Sequence, residues 1–165
     1  FATPDNWPAL AAMNFDAVID ACDQQSAKTA LAVWAIEQTK RLKKQAPLFI
    51  TAGAAGGKRR ADLVEIADLS KTTHDPLLSD LRYRLRRQHG APRDKKIGIT
   101  CVFSKEAVAP PDPSCAIEEA DGSLNCHGFG SVVSVTATFG MCAAGWVLDA
   151  LATQAKNPSI HHNSK

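Results

Sequence analysis

The five cysteines of this 165-residue chain, Cys22, Cys101, Cys115, Cys126 and Cys142, include no CxxC pair and are odd in number and widely spaced. That pattern excludes a disulfide framework and a four-cysteine zinc site, and it fits a reducing cytoplasm. An apolar run at the amino end is also missing, because Pro4, Asp5 and Pro8 interrupt it, so no signal peptide is expected there. Between Gly128 and Leu148 there is no charged residue. The stretch is long enough for a membrane span. Ser131, Ser134, Thr136, Thr138 and four glycines dilute its hydrophobicity, however, and no Lys or Arg cluster flanks it closely. Small residues at helical spacing, Ser134, Thr138 and Gly145, suit close helix packing, so the segment is expected to be a buried or dimer-facing helix rather than a span.

What is present fits one folded domain, since 45% hydrophobic and 22% charged residues argue against disorder. The domain is expected over residues 1–155, with a polar tail at 156–165. Its centre is the stretch from Phe15 to Gly57. An apolar run through Ile19 stops at the polar cluster Asp20 to Gln24. Ala27, Ala30, Leu31, Trp34, Ala35 and Gln38 then recur at helical spacing, with Lys40, Arg41, Lys43 and Lys44 at the positive-favouring helix end and Pro47 closing it. A second apolar run, Leu48 to Ala52, ends in a loop holding Gly53, Gly56 and Gly57. This is a βαβ unit, which places the carboxyl ends of two parallel strands side by side, the edge where open α/β sheets bind ligands. The glycine loop is either a backbone nest for an anion or a tight connection needing positive φ.

Farther along, a short helix is expected at Ala9 to Met13 with Asn6 as its cap, and strands at Asp62 to Asp68 and Ile97 to Phe103. From Asp80 to Lys96 the chain holds seven basic residues against two acidic ones, a formal +5 in a chain of net +2. Leu78, Leu81 and Leu85 share one helical face, leaving Arg82, Tyr83, Arg84, Arg86 and Arg87 over the rest. The cluster reads either as a solvated face or as an RNA grip, with arginines on phosphates and tyrosine on unpaired bases. Cys126 lies between Asn125 and His127, just before Gly128 and Gly130, so it is either a nucleophilic or redox-active thiol or an idle cysteine.

Several strings together resemble the tRNA threonylcarbamoyladenosine dehydratases. They are Val18-Ile19-Asp20-Ala21-Cys22-Asp23 with Lys28, the loop Thr51 to Gly57, Thr73-His74-Asp75-Pro76-Leu77-Leu78, Arg82 to Arg87, Cys101 to Ser104, Asn125 to Gly130 and Val135 to Gly140. The resemblance implies an α/β, three-layer, mostly parallel sheet with flanking helices, the Rossmann-like adenylating fold of ubiquitin-activating-enzyme-like proteins. It implies ATP and Mg2+ as cofactors, Asp23 and Lys28 as nucleotide ligands, and Asp23 as a catalytic residue on the metal; Cys126 joins Asp23 as a catalytic candidate on the strength of its own neighbours, His127 and the two glycines. It further implies tRNA as substrate, with Arg82, Arg84, Arg86 and Arg87, together with Lys58 and Arg59, expected to hold it; the cysteines and the uncharged segment add the expectation of a cytoplasmic homodimer, and Cys126 leaves open a sulfur-donor protein as a further partner. The family's glycine-rich nucleotide loop has no counterpart before Phe15, so the chain is expected to be the carboxyl-terminal portion of a longer enzyme. Two alternatives stay open: a sulfur-carrier activator, whose relatives commonly carry zinc on two CxxC pairs, and a catalytically silent RNA-binding or dimerisation fragment.

Overall fold

The computed structural model describes residues 2–13, 15–109 and 130–156. Cys126 and the tail from 157 onward lie outside them. Four strands, β1 (Ala17–Asp20), β2 (Leu48–Ala52), β3 (Val64–Asp68) and β4 (Thr100–Ser104), form one sheet in the order β1-β2-β4-β3. The pairs β1–β2 and β2–β4 are parallel, and β3 is antiparallel to β4. The antiparallel strand follows from its connection. Residues 53–63 hold only a three-residue 3-10 helix, Ala61–Leu63, too short to carry the chain back across the sheet, so β3 starts at the edge where β2 ends and runs the other way.

Alternation along the central strands builds two cores. Phe49, Cys101 and Phe103 point to one face, where they meet α1 (Trp7–Ala11), α2 (Gln25–Leu42) and α3 (Pro76–Gln88). Ile50 and Val102 point to the other, against α4 (Val133–Lys156). The three layers expected from the sequence are therefore present. On α2, Ala27, Leu31, Ala32 and Ala35 are buried, and the helix ends earlier than Pro47, at Lys43, whose φ of 50° is left-handed. On α3 the buried stripe is Leu77, Leu78, Leu81 and Leu85. Asn6 does not cap α1 with its side chain, which instead accepts from the Thr3 amide at 2.7 Å. Trp7 anchors that helix by meeting Trp34 edge-on, with ring centroids 5.2 Å apart.

On α4 a four-residue repeat, Val135, Phe139, Ala143 and Val147, is seated on the sheet. Its opposite face leaves Val133 at 78%, Met141 at 75% and Leu148 at 66% exposure. By length and composition alone α4 could cross a membrane, yet its repeat is part of this core. Among the described residues β1 has a neighbour on one side only, and Ile19 is left 47% exposed.

The strand expected from Ile97 begins instead at Thr100, because Asp68 captures the backbone before it. The Asp68 carboxylate accepts from the amides of Ser70 at 2.9 Å, Ile97 at 3.0 Å and Gly98 at 2.8 Å, and Gly98 has a φ of 88°. Burial pushes the Asp68 carboxyl up, but these hydrogen bonds outweigh it and hold it below the usual carboxylate range. A carboxyl depressed in the folded state stabilises above its unfolded pKa of about 3.9 and loses that contribution as pH falls through the folded value. Asp68→Asn should therefore be less stable than wild type at pH 7 in urea titrations, with the gap closing below about pH 4. A gap unchanged down to pH 2.5 would refute this account.

Candidate functional site

Two clusters gather where the parallel strands end, and a third lies along α3, which starts at that edge and runs away from it. The first is a buried lock between β1, α2 and β2. The Lys28 ammonium, with no exposed side-chain surface, donates to Asp20 Oδ2 at 2.8 Å, Thr51 Oγ1 at 2.9 Å and the Ala52 carbonyl at 3.1 Å. Thr51 Oγ1 donates to the same Asp20 oxygen at 2.6 Å, and Asp20 Oδ1 accepts from the Cys22 amide at 2.8 Å. An ammonium has three hydrogens, and all are used here. Lys28 thus has nothing left for a nucleotide, and its expected ligand role becomes that of fixing the turn at 21–24. Its place in the sequence carried the signal, since it lies between Ala27 and Thr29 on the buried stripe of α2.

That turn presents Asp23, which is exposed and has no hydrogen bond or ion pair within the described residues. Among those residues no cluster of three or more His, Cys, Asp or Glu could hold a metal. Mg2+ is commonly held by one or two carboxylates together with substrate phosphates. A lone accessible carboxylate fits an ion that arrives with a nucleotide.

The second cluster closes the glycine loop. Asp75 Oδ2 accepts from the Ala54 amide at 2.9 Å, while Oδ1 caps α3 by accepting from Leu78 N at 3.0 Å. The loop amide of Ala54 is thus taken by the protein's own carboxylate, and the tight connection needs positive φ at Gly57, at 70°. Lys58 lies 3.8 Å from Asp75 Oδ2 and donates to the Ser104 carbonyl at 3.0 Å, with both charged side chains fully buried. Burial pushes the Lys58 ammonium down and the Asp75 carboxyl up. Lys58 is therefore a buried strut, unavailable to the RNA contact expected of it. Arg59 is exposed, and its backbone amide and that of Arg60 both bond Glu106.

The third cluster sorts the arginines of α3 by partner. Arg82 Nη1 bonds Leu69 O at 3.0 Å, Thr72 O at 3.0 Å and Thr72 Oγ1 at 2.8 Å. Arg86 bonds the carbonyls of Pro92 at 3.2 Å and Arg93 at 3.1 Å. Arg87 bonds the Tyr83 hydroxyl at 2.6 Å, and its guanidinium carbon lies 5.8 Å from the ring centroid. Among the described residues Arg84 alone of these arginines meets a carboxylate, Asp80, at 2.8 Å. Ser79, Arg82, Tyr83, Arg86, Arg87 and Arg93 line a groove of about 520 Å³ from which Arg84 is absent. Arg93 counted toward the local charge but was not expected as a contact. A second hollow of about 330 Å³ lies at the head of α3 between 72–76 and 107–108, and shares Ser79 and Arg82 with the groove. His74 in its wall has a left-handed φ of 55°.

Burial raises the thiol pKa of Cys101 well above the ordinary range and that of Cys22 above its usual value, which makes both poor nucleophiles at neutral pH. Cys126 lies outside the described residues.

No family model matches the chain. The tRNA threonylcarbamoyladenosine dehydratase of Escherichia coli (strain K12) is 35% identical over 164 residues, covering 94% of this chain and 59% of the relative. Its counterpart from Haemophilus influenzae (strain Rd) is 36% identical over 154 residues, covering 92% and 56%. The solved structure of E. coli tRNA N6-threonylcarbamoyladenosine dehydratase in complex with ATP matches with a TM-score of 0.76 at 33% identity, over 96% of this chain and 57% of that one. The AMP complex matches with a TM-score of 0.73 at 34% identity, over 94% and 56%. The chain spans less than two thirds of the length of the relatives it matches.

Proposed function

On the premise that this chain is, along nearly its whole length, a relative of the tRNA threonylcarbamoyladenosine dehydratases and shares their Rossmann-like adenylating fold, we propose that the intact protein catalyses the ATP-dependent dehydration of threonylcarbamoyladenosine in the tRNA anticodon loop. In this reading the carboxylate of the modification attacks ATP, pyrophosphate leaves, and the modification's own side chain then displaces AMP as a ring closes. The observation that carries the reading is Asp23, an accessible, unpartnered carboxylate held at the carboxyl edge by the Asp20–Lys28–Thr51 lock. Mg2+ bound there would offset phosphate charge. The relatives solved with ATP and AMP support nucleotide use. The unpaired arginines of α3 support tRNA as the substrate, and the outward apolar face of α4 supports a homodimer.

Asp23→Asn keeps the shape of the side chain and removes its charge. In the intact protein, with modified tRNA present, exchange of labelled pyrophosphate into ATP should fall at least about tenfold, with the melting temperature unchanged because Asp23 has no hydrogen-bond or ion-pair partner among the described residues. Exchange at the wild-type rate would remove Asp23 from the nucleotide site.

A further inference from the structure

We propose that the arginine groove on α3 seats one unpaired nucleotide of RNA, its phosphate among Arg86, Arg87 and Arg93 and its base stacked on Tyr83. This rests on the tRNA reading above and adds which part of an RNA the groove takes.

Four guanidiniums line the groove, and none meets a carboxylate among the described residues. Asp80, the acidic residue on the same helix, is engaged by Arg84 outside the groove. The partners of the groove arginines are neutral oxygens, so their positions are fixed while their charge remains whole. Charge of one sign held in a concavity focuses the field on an anion. The hydrogen bonds to carbonyls also lower the ordering cost of binding, because Arg82 and Arg86 are held before a ligand arrives. Donors remain: Arg82 Nε and Nη2, Arg86 Nη1 and the whole Arg93 guanidinium make no hydrogen bond among the described residues.

An anion site alone would not need an aromatic wall. Tyr83 is 54% exposed in that wall, and the Arg87 bond to its hydroxyl sets the ring's orientation. An exposed ring beside guanidinium planes is what an unstacked base requires, whereas a duplex would offer the groove mainly phosphates. The groove also opens toward the reacting edge. Through Ser79 and Arg82 it joins the hollow beside His74 and Asp75, and Asp75 is bonded to the glycine loop after β2. From Tyr83 to the head of α3 is roughly 10 Å along the helix, so a strand seated on the ring reaches the carboxyl edge within a short span.

The test measures binding of a fluorescent single-stranded RNA heptamer, its duplex and a phosphorylated peptide of equal charge to the intact protein at several salt concentrations. Wild type should prefer the single strand. Arg93→Gln, which breaks no side-chain hydrogen bond or ion pair among the described residues, should weaken it several-fold and reduce the log–log salt slope by about 0.7. Tyr83→Leu should weaken it about tenfold and abolish quenching of a 2-aminopurine in the strand, whereas Tyr83→Phe should keep the quenching. Equal affinity for duplex and single strand, with Tyr83→Leu silent, would overturn the proposal in favour of an unspecific phosphate surface. Preference for the phosphopeptide would overturn it in favour of an acidic protein partner. If the intact protein cyclises tRNA while both variants bind like wild type, the groove assignment fails and the dehydratase reading stands. If Tyr83-dependent binding occurs without any ATP-dependent product, the reverse holds.

Discussion

Lys28→Met should destabilise the fold by about 3–5 kcal/mol, read as a shift in the midpoint of urea or thermal denaturation followed by circular dichroism. The methionine fills similar space, so the loss comes from charge. Asp20 stays 1% exposed with its ion-pair partner gone, and the amide of Cys22 and hydroxyl of Thr51 cannot neutralise a carboxylate in so dry a place. The double variant Asp20→Asn, Lys28→Met removes the stranded charge and should recover a large part of the loss, which identifies the pair as the source. A single-variant loss below about 1 kcal/mol would mean that solvent reaches Asp20. Because the lock sets the turn that presents Asp23, nucleotide use should suffer even where the variant remains folded.

Gly53→Ala is expected to cost at least about 3 kcal/mol, through sterics rather than charge. A Cβ at Gly53 would lie 2.1 Å from Asp75 Oδ2, 2.9 Å from its Cγ and 3.1 Å from Leu78 Cδ1. The carboxylate cannot swing aside freely, because it holds the Ala54 amide and caps α3, and Lys58 is buried beside it. Moving it sacrifices a helix cap, costing about 0.5–2 kcal/mol, and leaves a buried ammonium without its counter-ion. Gly145→Ala is the control. Nothing lies within 4 Å of a Cβ there, and alanine favours a helix by roughly 1 kcal/mol, so that variant should be neutral or stabilised. Equal stability of the two variants would show that the glycine loop can yield.

Periodicity was enough to read the βαβ unit and the leucine stripe of α3, because each depends on neighbours within two turns of chain or along one strand. The antiparallel course of β3 was not legible, since a strand's alternation is the same in either direction. From the sequence, Lys28 and Lys58 both read as ligand-facing cations. Each is buried on a carboxylate that lies 8 or 17 residues away in the chain, and only the fold brings the partners together. Composition marked the arginine cluster as a whole, but Arg84 and Arg82 differ through a carboxylate one turn earlier and carbonyls on another segment. The i, i+4 spacing of Asp80 and Arg84 was the available clue. Nothing local distinguishes Arg93, which reaches the groove only because Arg86 grips the backbone at 92 and 93.

The lone neighbour of β1 has a consequence for colloidal behaviour. Its outer row of amides and carbonyls has no partner among the described residues, and Ile19 stands exposed beside it. Charge usually guards such a border, yet Asp20, the acid at its end, is turned inward and neutralised by Lys28. What remains among the described residues is a short template of four residues, Ala17–Asp20, with the unpaired edge on which extended segments pair. Left uncovered, this border would let one molecule add to the next in concentrated solution, so whatever covers β1 also governs how long the protein stays dispersed.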